Sequence, residues 1–385
     1  MNAGDLVFNP QSAISATQHG GSANLVGGRN PQLPSPKRIL VIRLDRLGDV
    51  ILSTPVLQVL RQQFPHAFIA MMVRPACREV IEGNPYLDEV ILYDRDGMHH
   101  SVRATIGFAR RLRRHTFDTA IVLHPTNRSH WIPWLAGIPI RVGYDRKCGW
   151  LLTHRVPHRK QEGEKHEAAY TLELLEPFGI AAREPHPFVP IHATAERRVA
   201  SLLAERAVEP TERLVAIHPS ASCVSKRWMP ERFAQVADRL ISEQHVRICL
   251  VAGEADALYA HQVARAMRRP ALDFAGRLGV GELAALLHRC RLLVSNDSGP
   301  VHVAAAVGTP VVDIFGRNQR GLSPLRWGPV GEGHIILHKE VGCVTCLAHN
   351  CDIEFLCLAS VSVDEVYRAA VSILERASTE VRGKR

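Results

Sequence analysis

From Lys37 onward the chain alternates short apolar runs with longer amphipathic stretches. Ile39–Leu44, Ala67–Val73, Glu89–Tyr93 and Thr119–Leu123 read as strands, and the segment reaching Gln63, Ile106–Arg114 and Glu167–Phe178 read as helices. Pro55 either kinks the first helix or marks its true first turn. Residues 144–165 are polar and basic and read as a surface loop. A second block repeats the pattern: Leu214–His218, Val246–Val251, Leu292–Ser295 and Val311–Phe315 as strands, Pro230–Ser242, Asp256–Arg268, Leu283–Arg289 and Val301–Val307 as helices, and a last helix over Val363–Glu375. Strands alternating with helices predict mostly parallel sheets covered on both faces, so the fold class is α/β.

The punctuation gives the domain plan. Residues 1–36 are rich in Gly, Ser, Asn, Gln and Pro and predict a disordered extension. One α/β domain covers 37–190, a linker 191–210 follows Pro185, Pro187 and Pro190, a second α/β domain covers 211–360, and 361–385 form a C-terminal helix and tail. Ala193–Arg206 is helical in pattern within the linker. Two such blocks predict a ligand site in a cleft between them.

Composition narrows the function classes. The 385 residues are 46% hydrophobic, enough for more than one core, and carry a formal charge of +9 that favours anionic partners. Aromatic residues are sparse among the basic segments, which argues against a nucleic-acid stacking platform. No apolar run reaches the roughly 18 residues needed to span a bilayer, and no apolar segment follows a basic start, so a cytoplasmic chain is expected. A basic face could hold it at the inner leaflet. Of nine cysteines, five are scattered, as in a reduced protein. The other four, Cys343, Cys346, Cys351 and Cys357, are spaced C-x2-C-x4-C-x5-C, which fits no standard zinc module well. A metal-free reduced cluster is the favoured reading; no metal ligand and no cofactor is assigned.

Three segments carry candidate chemistry. Leu292–Phe315 is strand, then Asn296-Asp297-Ser298-Gly299-Pro300, then helix. Free amides at that helix start, with Gly299 allowing close approach and His302 in the first turn, suit a diphosphate; Asp297 or Ser298 could equally cap the helix. His218–Trp228 is a hydroxyl-rich loop in which Ser220, Ala221 and Ser222 could donate to phosphate and Lys226 could bring charge to a leaving nucleoside diphosphate. In the first block Asp49 follows Gly48 just beyond the first strand, where parallel sheets place ligands. It could take a proton from an attacking hydroxyl or cap a helix, with Asp45 a competing carboxylate. Arg43 and Arg46 flank that loop, and Arg141, Arg146, Lys147, Arg155, Arg159 and Lys160 form a looser basic set; these could hold an anionic acceptor. The Arg110–Arg114 cluster reads as solvated helix face. No GxGxxG follows a first strand and no Walker A motif is present.

With these residues in view, the chain from about Lys37 to Ile373 resembles the bacterial ADP-heptose:lipopolysaccharide heptosyltransferases, inverting enzymes of glycosyltransferase family 9. The signatures are Ile39-Leu40-Val41-Ile42-Arg43-Leu44-Asp45-Arg46-Leu47-Gly48-Asp49, Lys226-Arg227-Trp228, and Ser295-Asn296-Asp297-Ser298-Gly299-Pro300-Val301-His302. The resemblance implies a GT-B fold, two Rossmann-like domains with parallel sheets facing across a cleft. It implies Asp49 as general base, Lys226 on donor phosphate, and Asp297, Ser298, Gly299 and His302 at the donor sugar and diphosphate. Asp256 or Glu254 would meet the ribose, and Arg43, Arg46 and Gly48 would lie on the acceptor side. It implies an ADP-heptose donor, a lipopolysaccharide inner-core acceptor and no metal. The late cysteine group is similar to the heptosyltransferase II branch. Two features depart from the family: the polar extension and the Ser220-Ala221-Ser222 loop. Related chemistry in O-antigen or capsule assembly, a nucleotide-sugar epimerase or hydrolase, and a non-catalytic metal-binding protein built on the cysteines remain the alternatives.

Overall fold

The computed structural model describes residues 33–382 apart from 182 and 344. The expected disordered extension therefore lies almost wholly outside the described residues; of its last four, Leu33 donates its N–H to the Pro177 carbonyl at 3.3 Å. The chain divides into two compact units that meet in sequence at Pro190 and Ile191.

The first unit is built on β1 (Arg38–Ile42), β2 (Phe68–Val73), β3 (Glu89–Leu92), β4 (Thr119–Val122), β5 (Ile140–Tyr144) and β6 (His154–Val156). All are parallel, in the order β3-β2-β1-β4-β5-β6. β1 is central because it is apolar on both faces: Ile39 to Ile42 are all buried, as a strand covered on two sides requires. Its helices are α1 (Leu47–Ile51), α2 (Thr54–Gln63), α3 (Val102–Leu112), α4 (Asn127–Leu135) and α5 (Glu167–Glu173). Pro55 falls in the first turn of α2, so it starts a second helix instead of kinking the first. The expected surface loop over 144–165 is partly structural: it contains edge strand β6 and buries Lys160.

The second unit begins within the expected linker. α6 (Ala193–Ala204) buries Val199, Leu202 and Leu203 and packs on α9 (Val280–Arg289), so these residues belong to the second unit. The sheet comprises β7 (Leu214–His218), β8 (Arg247–Leu250), β9 (Leu272–Asp273), β10 (Leu292–Asn296), β11 (Val311–Phe315) and β12 (Ile335–His338), all parallel, in the order β12-β11-β10-β7-β8-β9. Numbered from its own first strand, this is the order of the first unit. The remaining helices are α7 (Pro230–Gln244), α8 (Ala257–Ala266), α10 (Gly299–Ala306), α11 (Pro324–Trp327), α12 (Leu356–Ala359) and α13 (Val363–Arg382). Gly308 ends α10 at φ 83°, a conformation that costs glycine little. α13 packs on α7, burying Val366, Ala370 and Ile373, and Trp228 donates its indole N–H to the Val361 carbonyl at 3.0 Å. The C-terminal helix thus closes the second core.

In each sheet the strand order reverses direction at one place, between β1 and β4 and between β7 and β10. The crevice beyond the carboxyl ends of such a pair is where doubly wound sheets bind ligands. Asp49 follows β1; Ser220 and Lys226 follow β7; Asp297 and Ser298 follow β10.

Candidate active site

At the first switch point Arg43, the residue after β1, turns inward and is 2% exposed. Its Nε donates to Asp45 Oδ1 at 2.8 Å, and its Nη2 donates to Asp49 Oδ1 at 2.7 Å and Glu167 Oε1 at 3.1 Å. Glu167 opens α5 and also accepts from Lys160 Nζ at 2.5 Å; that ammonium lies 4.7 Å from the Tyr144 ring centroid. Three carboxylates and two cations therefore form one buried network. Its solvent side is Asp45 and Asp49, the latter 16% exposed. Asp49 sits in the first turn of α1, whose N-cap is Arg46; its carboxylate goes to Arg43 and caps nothing.

Burial and the neighbouring Asp49 charge push the Asp45 carboxyl up to about 7 despite the Arg43 contact, because loss of hydration outweighs the ion pair. The three carboxylates hold Arg43 firmly charged against its own burial. His124, just beyond β4, lies 3.6 Å from Asp45, but burial and the positive charge of Arg43 lower it to about 4, so it is neutral at physiological pH.

Expectations for the acceptor side divide here. Arg46 is exposed and Gly48 is buried in α1. Arg43 is corrected: its fork is occupied by the protein's own carboxylates, so it supports the site from beneath. Lys160 is corrected likewise, and Arg141 spends its Nε on the Leu151 carbonyl at 2.7 Å. Glu167 was missed, because nothing in a local window marks a helix-opening glutamate as buried against a residue 124 positions away.

The second switch point has the opposite polarity. Asp297, buried at the end of β10, is gripped by Lys226 Nζ at 2.8 Å and Arg317 Nη2 at 3.1 Å. Lys226 is held in place by its loop. Asn296 Oδ1 accepts from the Trp228 N–H at 3.0 Å and Asn296 Nδ2 donates to the Pro219 carbonyl at 2.6 Å, clamping both ends of the loop to β10. Arg227 donates to the Ala221 carbonyl at 2.8 Å and stacks 4.2 Å from the Tyr259 ring centroid. A Cβ on Gly316 would sit 2.7 Å from the Ser225 carbonyl oxygen, so glycine lets the end of β11 approach this loop, and Arg317 follows at once.

Pairing places Ser295 opposite both His218 and Asp313. Ser298, although it is the N-cap residue of α10, makes no cap bond; its hydroxyl meets His218 Nδ1 at 3.1 Å and Ser295 Oγ at 3.2 Å. The capping alternative for Ser298 is thereby set aside. Ser220 Oγ lies 3.0 Å from His218 Nε2. Burial lowers His218 to about 4, so it is a neutral hydrogen-bonding hub among three hydroxyls. Gly299 opens α10, and His302 is buried one turn in. Ala221 is buried, Ser222 exposed, and Asp256 half-buried before α8 with no cap bond. Asp313 is fully buried with neither carboxyl oxygen hydrogen-bonded; burial first and the Asp297 charge second push its carboxyl well above the usual carboxylate range. Asp313 and Arg317 carry no local signature, since only the register and the Gly316 approach bring them to the site, and the clamping role of Asn296 is visible only in its bonds to Trp228 and Pro219.

The four late cysteines line one cavity of about 730 Å³ at the carboxyl ends of β11 and β12, with Arg317 and His338 also in its wall. Among the described residues no group of three or more His, Cys, Asp or Glu side chains is set to hold a metal ion.

Residues 105–356 match the model of glycosyltransferase family 9 (heptosyltransferase), well over half of the chain. Lipooligosaccharide heptosyltransferase 2 of Haemophilus ducreyi is 27% identical over 301 residues, covering 74% of this chain and 85% of that protein. Lipopolysaccharide heptosyltransferase 2 of Escherichia coli is 25% identical over 298 residues, with 74% and 85% covered. Among solved structures, a family 9 glycosyltransferase from Veillonella parvula superimposes with a TM-score of 0.79 at 27% identity, covering 90% of this chain and 99% of that one. E. coli ADP-heptose lipopolysaccharide heptosyltransferase II superimposes with a TM-score of 0.75 at 21% identity, covering 89% and 99%. Two doubly wound parallel sheets in one chain, the agreement of the whole fold and the family match lead to one conclusion: the chain belongs to glycosyltransferase family 9, with the GT-B fold.

Proposed function

We propose that the chain is an inverting heptosyltransferase that moves heptose from ADP-L-glycero-D-manno-heptose to the anionic inner core of lipopolysaccharide. The observation that carries this reading is the opposed polarity of the two switch points: a carboxylate-rich network presenting Asp49, and a carboxylate gripped by two cations beside a helix start. Family membership and relatives named for lipopolysaccharide and lipooligosaccharide heptosyl transfer support the choice of donor and acceptor.

In this mechanism the acceptor hydroxyl loses its proton to Asp49 as its oxygen bonds to the anomeric carbon. The bond from that carbon to the phosphate oxygen breaks on the opposite face, and ADP leaves with the electron pair. Lys226, Arg317 and the amides opening α10 take up the growing negative charge. Asp297 can cancel only one of the two cations that grip it, and burial disfavours charge on Asp313, so a positive excess remains for the diphosphate. That excess is the reason no divalent ion is invoked. Ser220, Ala221, Ser222, Ser298, Gly299 and His302 line the donor side, Asp256 accepts from ribose hydroxyls, and Arg46 and Gly48 border the acceptor.

The acceptor is lipid-linked, so we place the enzyme at the cytoplasmic face of the inner membrane. No described helix is long and apolar enough to cross a membrane. Trp150 is 71% exposed and follows exposed Arg146 and Lys147 closely in the chain, a composition suited to anionic headgroups.

The test is incubation with ADP-heptose and a truncated inner-core acceptor, reading released ADP and product mass. ADP release matched by an acceptor heavier by one heptose is expected. ADP release with no heavier acceptor, or turnover only with a different sugar nucleotide, would overturn the reading.

A further inference from the structure

The network beneath Asp49 has more parts than holding one carboxylate requires. A carboxylate in sole contact with a guanidinium is a poor proton acceptor, because the cation stabilises its charged form. Here the cation is divided. Arg43 Nη2 is shared between Asp49 Oδ1 and Glu167 Oε1, and Arg43 Nε is turned to Asp45. Glu167 is itself tempered by Lys160, which approaches the same oxygen that faces Arg43. Both lie 5% exposed or less. Water therefore screens little between them, and each charge is felt by the others.

We propose that Glu167 and Lys160 are positioning residues that set the aim and the proton affinity of Asp49 through Arg43. The proposal rests on the reading of Asp49 as the base. Glu167 shares the Arg43 Nη2 that Asp49 accepts from and adds negative charge to the same buried network, so removing that charge leaves Arg43 to pair with Asp49 more strongly. Lys160 limits the effect of that charge.

The other groups around Asp49 do not supply this control. His124, beyond β4, is neutral for the reasons given, and burial pushes the Cys77 thiol, beyond β2, up to about 11. Arg74, which also acts on Cys77, is engaged by Asp96, and Arg46 is exposed to water. Asp45 is the exception: it shares the Arg43 fork and is itself raised to about 7, so each variant is also measured in an Asp45→Asn background, where limb shifts that vanish would overturn the proposal. Among the described contacts, Arg43 joins Asp49 to Asp45 and Glu167, and Glu167 joins it in turn to Lys160.

The experiment is the pH dependence of kcat with ADP-heptose and inner-core acceptor for wild type, Glu167→Gln, Lys160→Met and the double variant. Removing the carboxylate charge leaves Asp49 more strongly paired, so the acidic limb should move down by roughly one pH unit in E167Q. The plateau should fall about threefold as the base weakens. Removing the ammonium does the reverse, and the limb should move up by a similar amount in K160M. The double variant restores the charge balance and should return the limb close to wild type, with KM for ADP-heptose within about twofold throughout. A purely structural ion cluster would move neither limb, or both the same way, and either result overturns the proposal. If E167Q does not fold, K160M decides: an unmoved limb overturns it and an upward shift supports it. Asp49→Asn, run alongside, separates the two layers. Wild-type turnover in D49N refutes the base itself, whereas a dead D49N with unmoved limbs in the other variants refutes only the role of Glu167 and Lys160.

Discussion

The two units share a sheet order and place their candidate chemistry at the same topological position, yet they fill it with inverse charge. In the first, a buried arginine is ringed by Asp45, Asp49 and Glu167. In the second, a buried aspartate is ringed by Lys226 and Arg317. Topology fixes where a ligand can meet backbone ends and helix starts; the few side chains there decide what that place does. An excess of carboxylates suits removal of a proton, and an excess of cations suits departure of a diphosphate. Each unit also carries one aspartate that burial pushes toward the neutral form, Asp45 and Asp313. In the first unit this softens the negative excess. In the second it prevents a second carboxylate from cancelling the positive one.

The comparison breaks most sharply if the division of labour fails. Asp49→Asn should cut kcat by about 10²–10⁴-fold while leaving ADP affinity near wild type, as measured by calorimetric titration. An equal loss of ADP affinity would mean that the first unit also holds the donor. The centre of each cluster tests the next level. Arg43→Met removes the cation shared by Asp45, Asp49 and Glu167, and should cost about 3–5 kcal/mol of stability to denaturant, since breaking a buried ion network strands the remaining charges. Unchanged stability would show that the carboxylates do not depend on Arg43. Lys226→Ala should instead act on the leaving group, slowing transfer by about 10²-fold and weakening ADP binding, with the acidic limb of the pH profile unmoved. A shifted limb would place Lys226 in the proton-transfer machinery and erase the contrast.

Much of this arrangement was legible in the chain. The apolar runs at Ile39–Leu44 and Leu292–Ser295 read as strands, and their place inside the sheets follows because strands covered on both faces must be apolar throughout. Gly48-Asp49 and Asp297-Ser298-Gly299-Pro300 stood out because loops and helix starts carry local signatures. The edges were less legible. β6 is three residues, His-Arg-Val, and β9 is two, so neither has enough length for periodicity to register. The supporting charges were least legible of all. Glu167 and Lys160 sit in polar sequence and look like solvated side chains until folding brings them under β1. Asp313 interrupts an apolar strand with no local sign that its neighbour across the sheet is the strand carrying Asp297. Arg43 reads as an acceptor-side charge because a sequence shows the charge of a side chain but not the three carboxylates that claim it.

The smallest expected effect concerns pH and stability, and it separates the units by sign. His218 has an ordinary value of 6.5 and is held near 4 in the folded second unit. Between those values the unfolded chain binds the proton and the folded chain does not. Its contribution is therefore complete above 6.5 and is lost as the pH falls toward 4, with a slope of up to about 1.4 kcal/mol per pH unit. Asp45 works the other way. Its carboxyl is raised from 3.8 to about 7, so the folded first unit binds the proton more readily, and the contribution is complete below 3.8 and lost as the pH rises through 7. Denaturant midpoints at pH 7.5 and 5.5 should show this as a smaller acid loss in His218→Asn than in wild type, and a larger one in Asp45→Asn, because the first substitution removes a group that charges on unfolding and the second removes one that gains a proton on folding. The same acid loss in all three proteins would mean that neither buried group titrates differently in the folded chain, and the electrostatic contrast between the switch points would then rest on ion-pair geometry alone.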